Sequence, residues 1–456
     1  MLTHLLDPGA NQLCPLYLLT PKLLQSWLPQ IAEPMATSIT ANRFTAKKGQ
    51  SLAIFTPNGQ KLVLAGLGSQ PTTADIGTLP DVLGEERYCL HFAPGDLDRT
   101  GLALGWLLGC YRYERFQRNK SKLPFLLVAG ADTKTALAQA EAICLARDLI
   151  NTPANELGPV ALEQAIRDLA KPFAAKITSV VGDELLQQNY PMIHAVGRAA
   201  EQPPRLVHLV WGEDTDPAIS LVGKGVIFDT GGLNIKTGAY MKLMKKDMGG
   251  AANALALAHL IMQAGLPVYL NVWIPIVDNA IAGNAYRPSD ILPSRAGMSV
   301  EVDNTDAEGR LILADALSRA IEDEPELLID FATLTGAART ALGPELAPFY
   351  TASDQWADRL LAAAKTAGDP VWQMPLWPGY DSLLDSDIAD ICHTASSSMA
   401  GSVTAALFLQ RFVGDTAWIH FDIYGWSLKQ RPGQPIGGAA QGPLAVFTML
   451  RDVYGK

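Results

Sequence analysis

The chain has 456 residues, 48% of them hydrophobic and 18% charged. At the usual ~100–200 residues per domain this is a multidomain chain with apolar material for large cores, which excludes a disordered or low-complexity protein. Acidic residues outnumber basic ones by 46 to 36, a net charge of -10 that argues against a non-specific nucleic-acid partner or an anionic membrane surface. The five scattered cysteines contain no CxxC, so they point to neither a disulfide framework nor a thiolate zinc site, and a reducing compartment fits them. Seven histidines with no HExxH spacing mean that a catalytic metal would be held mainly by oxygen.

The opening residues MLTHLLDPGANQLCPLYLL lack a basic segment and carry Asp7 ahead of any long apolar run, so a cytoplasmic location is expected. Ser51 to Gly68 holds Asn58-Gly59 between two apolar runs, which predicts a β-hairpin. Gly101 to Tyr111 reads as a buried helix and Phe125 to Gly130 as a short buried strand. Thr133 to Ile150, with Asp132 as N-cap and no Pro or Gly, predicts one continuous helix that stops before Pro153. From about Val207 strands and helices alternate. Strands are expected at Ala218 to Phe228, Pro267 to Val277, Glu326 to Thr333 and Trp418 to Tyr424, and helices at Met248 to Gln263, Gly309 to Ile321 and Gly401 to Phe412. Polar residues interrupt the apolar stretch from Ala251 to Val277, so it is not a membrane span. The pattern predicts an α/β protein: a smaller N-terminal α/β domain over residues 1–130, a linker helix over 131–150, and a larger C-terminal domain over 151–456. That larger domain has a central mixed, largely parallel sheet flanked by helices. Ligands of such sheets sit beyond the carboxyl ends of the strands.

Carboxylates gather at such places. EVDNTDAE, residues 301 to 308, holds Glu301, Asp303, Asp306 and Glu308, four acids in eight positions, just before a predicted helix. Alone, this reads as an acidic turn and helix cap. Asp229, however, ends the apolar run Val226-Ile227-Phe228, and Asp247 precedes the helix start Met248-Gly249-Gly250. Carboxylates that converge repel unless cations lie between them, so divalent metal binding is expected. An EF-hand is the rival, with Asn304, Asp306, Glu308, Gly309 and Asp315 at loop positions 1, 3, 5, 6 and 12. Against it, Ser294 to Val302 alternates like a strand where an entering helix is required.

Lys224 lies inside LVGKGVIF, where desolvation is expected to lower its pKa and make its amine available to a metal. Lys236, in GGLNIKTG, is either a solvated loop residue or a charge aimed at a carbonyl oxygen. Lys242, Lys245 and Lys246 read as solvated faces. Arg310 follows Glu308-Gly309, where it either pairs with the acids or presents an anion-binding fork. His259, His393 and His420 read as packed or surface groups. The absence of GxSxG, GxxxxGK[ST] and a complete GxGxxG removes the main support for a serine hydrolase, a P-loop NTPase and a dinucleotide-binding fold.

These segments also carry a resemblance. NTDAEGRLILADAL (Asn304 to Leu317) and VGKGVIFDTGGLNIKTGAYMKLMKKDMGGAA (Val222 to Ala252) are similar to the two metal-binding segments of the leucyl (cytosol) aminopeptidases, a family of dinuclear-zinc exopeptidases. ARDLINTPANELGP, DFATLTGA, GSVTAALFL and WIHFDI match in order, so the likeness covers roughly residues 140 to 430; residues 1–130 match in size and α/β character.

The resemblance implies that Asp229 and Glu308 bridge two divalent metals, Zn2+ or Mn2+, that Asp306 completes one site, and that Lys224 and Asp247 complete the other. Lys236 and Arg310 match the catalytic positions. In that mechanism a water bridging the metals attacks the peptide carbonyl, Lys236 stabilises the oxyanion, and Arg310 holds a bicarbonate acting as general base. Met244, Thr333 and Gly336 fall along the pocket for the first side chain, implying peptide substrates with a free N-terminus and an apolar first residue such as Leu. Members are typically homo-hexamers, so the N-terminal domain is expected to have an oligomer-related role. Lys242 stands where many members carry an acid, Thr237 where proline is common, and Ile436 to Leu450 departs from the usual ending.

Overall fold

The computed structural model describes residues 4–5, 9–118 and 120–455; Asp7 lies outside the described residues. The chain divides into two compact units, Met1–Cys144 with Lys429–Ile436, and Leu145–Leu428 with Gly437–Lys456. The stretch Lys429–Ile436, which falls within the range expected for the C-terminal domain, therefore groups with the N-terminal unit.

In the first unit β1 (Cys14–Leu19), β2 (Ser51–Phe55), β3 (Lys61–Gly66), β4 (Arg87–Phe92) and β5 (Phe125–Leu127) form a sheet in the order β2-β3-β1-β4-β5. The two-residue period of a strand sends alternate side chains to opposite faces. Val63 and Ala65 join Leu102 and Trp106 of α3 (Arg99–Gly109), while Leu62 and Leu64 join Leu24 of α1 (Pro21–Trp27) and Met35 and Ile39 of α2 (Glu33–Ala41). The predicted hairpin is present: β2 and β3 pair antiparallel from Ser51↔Ala65 to Phe55↔Lys61. Gly59 takes the positive φ of the turn, +81°. β5 stops at Leu127, shorter than the predicted strand. Helix α4 (Thr133–Asn151) is continuous, and the Asp132 carboxylate accepts from Thr135 N at 3.0 Å.

The second unit begins with α5 (Pro159–Ala170), β6 (Lys176–Val181), α6 (Glu184–Gln187), α7 (Pro191–Gly197) and β7 (Arg205–Trp211). Next come β8 (Ala218–Gly223), β9 (Gly225–Asp229), α8 (Gly238–Met241), α9 (Gly249–Ala264) and β10 (Tyr269–Asn279). Two short strands, β11 (Ile291–Pro293) and β12 (Ser299–Glu301), precede α10 (Glu308–Ile321), β13 (Leu327–Ala332) and α11 (Gly336–Leu342). Then follow β14 (Ala347–Tyr350), α12 (Asp354–Ala367), β15 (Val371–Gln373), β16 (Ile391–Cys392) and α13 (Gly401–Gln410). β17 (Trp418–Asp422), β18 (Trp426–Ser427), β19 (Gly437–Gly438) and α14 (Pro443–Tyr454) complete it.

The large sheet runs β15-β14-β17-β13-β8-β10-β7-β6, with β9 also on β10. Its centre is parallel, β17-β13-β8-β10, whereas β7 and β6 on one side and β14 on the other add antiparallel pairings. Every residue of β13 is buried, as a strand covered on both faces requires. Helices α7, α10 and α13 contribute Ile193, Leu313 and Phe408 to one shared core. Among the described residues no helix is long and apolar enough to cross a membrane.

Two expectations are corrected here. Ala218 to Phe228 is not one strand: Lys224 separates β8 from β9, its N–H donating to Phe331 O at 3.0 Å and its carbonyl accepting from Ala251 N at 2.8 Å. A Cβ on the next residue, Gly225, would stand 2.5 Å from Pro275 O, so only glycine lets the chain swing onto β10. Ser294 to Val302 is likewise not one strand, because β11 and β12 pair antiparallel about a turn in which Gly297 has φ +84°.

Candidate metal centre

The strand break and two helix starts bring the acids together. β9 pairs with β10 so that Asp229 lies opposite Asn279 at the carboxyl ends of both strands. The chain then turns back through Thr230 to Lys236, where Lys236 N donates to Thr230 O at 2.9 Å and Gly231 N donates to the Asp229 carboxylate at 2.8 Å. This loop is stitched to the turn before α10: the Thr305 hydroxyl donates to Gly231 O at 2.7 Å and accepts from Asn234 N at 2.8 Å. Asp247 arrives from a third direction, in the turn Met244–Met248 leading into α9.

One oxygen each of Asp229, Asp306 and Glu308 lies within 4.8 Å of the others. Two lysines sit among them. Lys224 Nζ is 2.6 Å from Asp247 and 3.0 Å from Glu308; Lys236 Nζ is 2.8 Å from Asp229 and also pairs with Asp306. Lys224, Asp229, Asp247 and Glu308 are all at most 3% exposed.

The crowding shows in the titration of these groups. Burial pushes Glu308 up to about 7, assisted by Asp229 and Asp247 and opposed by the lysines. Burial likewise raises Asp229 and Asp306. For Asp247 the desolvation is outweighed by Lys224 and Lys246, and its pKa falls. Lys224 is desolvated as expected, yet Asp247, Glu308 and Asp229 outweigh that effect and hold its amine up, not down. The same opposition, led by burial and overcome by Asp229, raises Lys236. Four carboxylates face three lysines, Lys224, Lys236 and Lys246, so the cluster keeps an excess of negative charge on hard oxygen donors. That donor set suits divalent cations.

Arg310 adopts neither expected pairing outright. It is 7% exposed, donates from Nη1 to His393 O at 2.7 Å, and leaves a buried Nε without a partner. Burial lowers it to about 10, against the pull of Asp422 and Glu308. A buried guanidinium with an orphaned donor is fitted to an anion. The EF-hand is overturned: Asp315 points into the core, where it accepts from Met192 N at 2.8 Å and Arg295 N at 2.9 Å. Lys246 is also corrected. It is 4% exposed, not solvated, and burial lowers it to about 8. Lys245 is half-buried and donates to Asn151 O at 2.5 Å; of the three only Lys242 is exposed. His393 and His420 are fully buried, as packed groups should be.

The sequence profile of the cytosol aminopeptidase family's catalytic domain matches residues 144–446, and that of the M17 aminopeptidase N-terminal domain matches residues 14–128. The chain belongs to the cytosol aminopeptidase family. This aminopeptidase is 37% identical to a probable cytosol aminopeptidase of Syntrophotalea carbinolica, over 92% of this chain and 91% of the relative. A solved cytosol aminopeptidase from Coxiella burnetii superposes with a TM-score of 0.94 at 41% identity, covering 99% of both chains. The bottromycin maturation enzyme BotP, solved in complex with Mn, superposes with a TM-score of 0.87 at 30% identity, over 97% of this chain and 99% of that one.

Of the three residues expected along a pocket for the first side chain, Thr333 is buried and donates its hydroxyl to both Asp247 O and its carboxylate at 2.9 Å. Met244 is half-buried and Gly336 exposed. Sequence reasoning missed Asn279, fully buried, whose amide donates to Asp229 at 2.8 Å, to Thr305 O at 3.0 Å and to Glu308 at 3.4 Å. The signal available was its place two residues past the apolar run that ends at Val277. It also missed Asp422, which accepts from Leu334 N, Thr335 N, the Thr335 hydroxyl and the Ser402 hydroxyl at 2.6 to 3.1 Å and so holds the loop between β13 and α11.

Proposed function

We propose that this aminopeptidase removes the N-terminal residue from peptides with two divalent cations, Zn2+ or Mn2+, held by Lys224, Asp229, Asp247, Asp306 and Glu308. The observation that carries the reading is the convergence of Asp229, Asp306 and Glu308, with Asp247 joined to them through Lys224. The Mn in the BotP complex supports a divalent ion. Held by these residues, such ions would supply Lewis acidity toward a peptide carbonyl and an attacking water.

The remaining chemistry belongs to the chain. Lys236 keeps its proton and presents N–H donors where charge develops on the carbonyl oxygen. Arg310 holds bicarbonate as general base, for which its unpartnered Nε and buried charge are suited. Asn279 orients Asp229 and Glu308 through its amide donors, as residues behind metal ligands do. Met244 offers the first side chain an apolar wall suited to Leu. A homo-hexamer belongs to the same reading, of about 293 kDa at 48.9 kDa per chain, as does a cytoplasmic location.

Hydrolysis of a leucyl anilide should vanish on chelation and return with Zn2+ or Mn2+. Activity surviving in a metal-free Asp306→Ala, Glu308→Ala double variant would sink the reading. Light scattering that finds a mass well below 293 kDa would refute the hexamer.

A further inference from the structure

Beside the carboxylates lies a cluster of the opposite sign. Lys246 Nζ sits 5.1 Å from the centre of the Tyr424 ring, and the Arg339 guanidinium carbon 4.5 Å from the same centre. Among the described residues the one ion pair of Lys246 is with Asp247 Oδ1 at 3.9 Å, and that oxygen already accepts from the Thr333 hydroxyl. The other Asp247 oxygen is engaged by Lys224 at 2.6 Å. Arg339 has no hydrogen-bond acceptor or acidic partner among the described residues. Two cations thus share one aromatic ring, and the side chain of one of them is 6% exposed. Attraction to a ring face is weaker than the cost of burying an ammonium, and the Asp247 carboxylate is shared with Lys224, so the two cations are short of negative charge.

Lys246 lies in the turn that carries Met244 and Asp247. Gly336 and Arg339 stand one turn apart on α11, and a Cβ built on Gly336 would lie 3.7 Å from the Arg339 guanidinium. Arg339 and Tyr424 are half-buried and reachable.

We propose that Lys246 and Arg339 form an anion subsite for the side-chain carboxylate of the substrate's first residue, so that the enzyme releases N-terminal Asp or Glu as well as Leu. The inference rests on the reading that the carboxylate centre takes the free amino end of a peptide. From there the first side chain passes Thr333 and Gly336 toward the two cations.

The test compares kcat/KM of the metal-loaded enzyme on leucyl, aspartyl and glutamyl anilides. An acidic substrate should be cleaved within about tenfold of the leucyl one, and Lys246→Met or Arg339→Met should lower the acidic-to-leucyl ratio more than tenfold, with Lys246→Arg restoring it. Free glutamate should compete against leucyl anilide better than norleucine does, a measurement on the unaltered protein that stands even if a variant does not fold. Leucyl hydrolysis with acidic substrates slower by about a thousandfold, or a ratio untouched by well-folded variants, would overturn the subsite. A more than tenfold preference for Leu-Gly over its amide, erased by the same variants, would put the anion at the wrong end of the substrate and overturn it equally. No hydrolysis of any anilide by the metal-loaded enzyme would instead reject the aminopeptidase reading itself.

Discussion

Gly309 is the second residue of α10, between Glu308 and Arg310, and a Cβ there would lie 2.5 Å from Cε, 2.7 Å from Nζ and 2.8 Å from Cδ of Lys224. Gly309→Ala therefore requires the lysine tip to move by roughly 1 Å to reach ordinary contact distances. Replacing glycine in a helix by alanine stabilises by up to about 1 kcal/mol, less in the first turn, while overpacking a filled interior costs about 1–3 kcal/mol. Because the clash is with the flexible end of a side chain, the cost falls in the lower part of that range. The net change is a loss of about 0–2 kcal/mol, a few degrees in Tm. The effect on the centre is larger, since the amine now 2.6 Å from Asp247 and 3.0 Å from Glu308 leaves its position. A misplacement of that size costs about a hundredfold in rate. The assay pairs a thermal melt with leucyl anilide kinetics at saturating Mn2+. Parental kcat/KM together with an unchanged or higher Tm would refute the argument that Gly309 leaves room for a fixed Lys224.

Asn279→Leu removes a buried amide that makes three contacts and should weaken metal binding about 10–100-fold, read by calorimetric titration of Mn2+; unchanged affinity would make Asn279 a packing residue only. Lys236→Met should lower kcat about 10²–10³-fold while the metal content per chain, measured by atomic emission, stays as it was. Asp315→Ala leaves the N–H groups of Met192, Ile193 and Arg295 without their acceptor and should cost about 3 kcal/mol or more in denaturant unfolding, with the activity of the folded fraction retained. A loss of specific activity matching the loss of stability would mean that Asp315 reaches the centre after all.

What was legible in the sequence was legible for physical reasons. Acids at the ends of apolar runs stand out because burying them needs compensation, and Asp229, Asp247, Asp306 and Glu308 all stood out. The alternation of strands and helices likewise announced the sheet with its flanking helices. Lys246 stayed hidden because a lysine pair beside polar residues looks like a wet face, and only the packing of Tyr424 and Asp247 around it shows otherwise. Asn279 stayed hidden because an uncharged amide carries no sign of whom it will face across a ladder. The break at Lys224 depends on Phe331 and Ala251, residues distant in sequence, and no local pattern records it. The antiparallel edges formed by β6, β7 and β14 also depend on pairings that strand composition does not encode.

The backbone of Lys224 is tied to β13 on one side and to α9 on the other. A Cβ on Gly250 would stand 2.1 Å from Phe331 O, and one on Gly223 2.6 Å from the Ala251 Cα. These three pieces of chain therefore touch with no side chain between them, and no substitution can adjust one without shifting the others. On the proposed reading, diversification would come from Met244, Gly336, Arg339 and Tyr424, which are exposed or half-exposed. If that reading holds, the reaction and the choice of substrate reside in parts of the fold that tolerate change to different degrees, and a library aimed at new specificity belongs at residues 244, 246, 336 and 339, with the junction at Lys224 left alone.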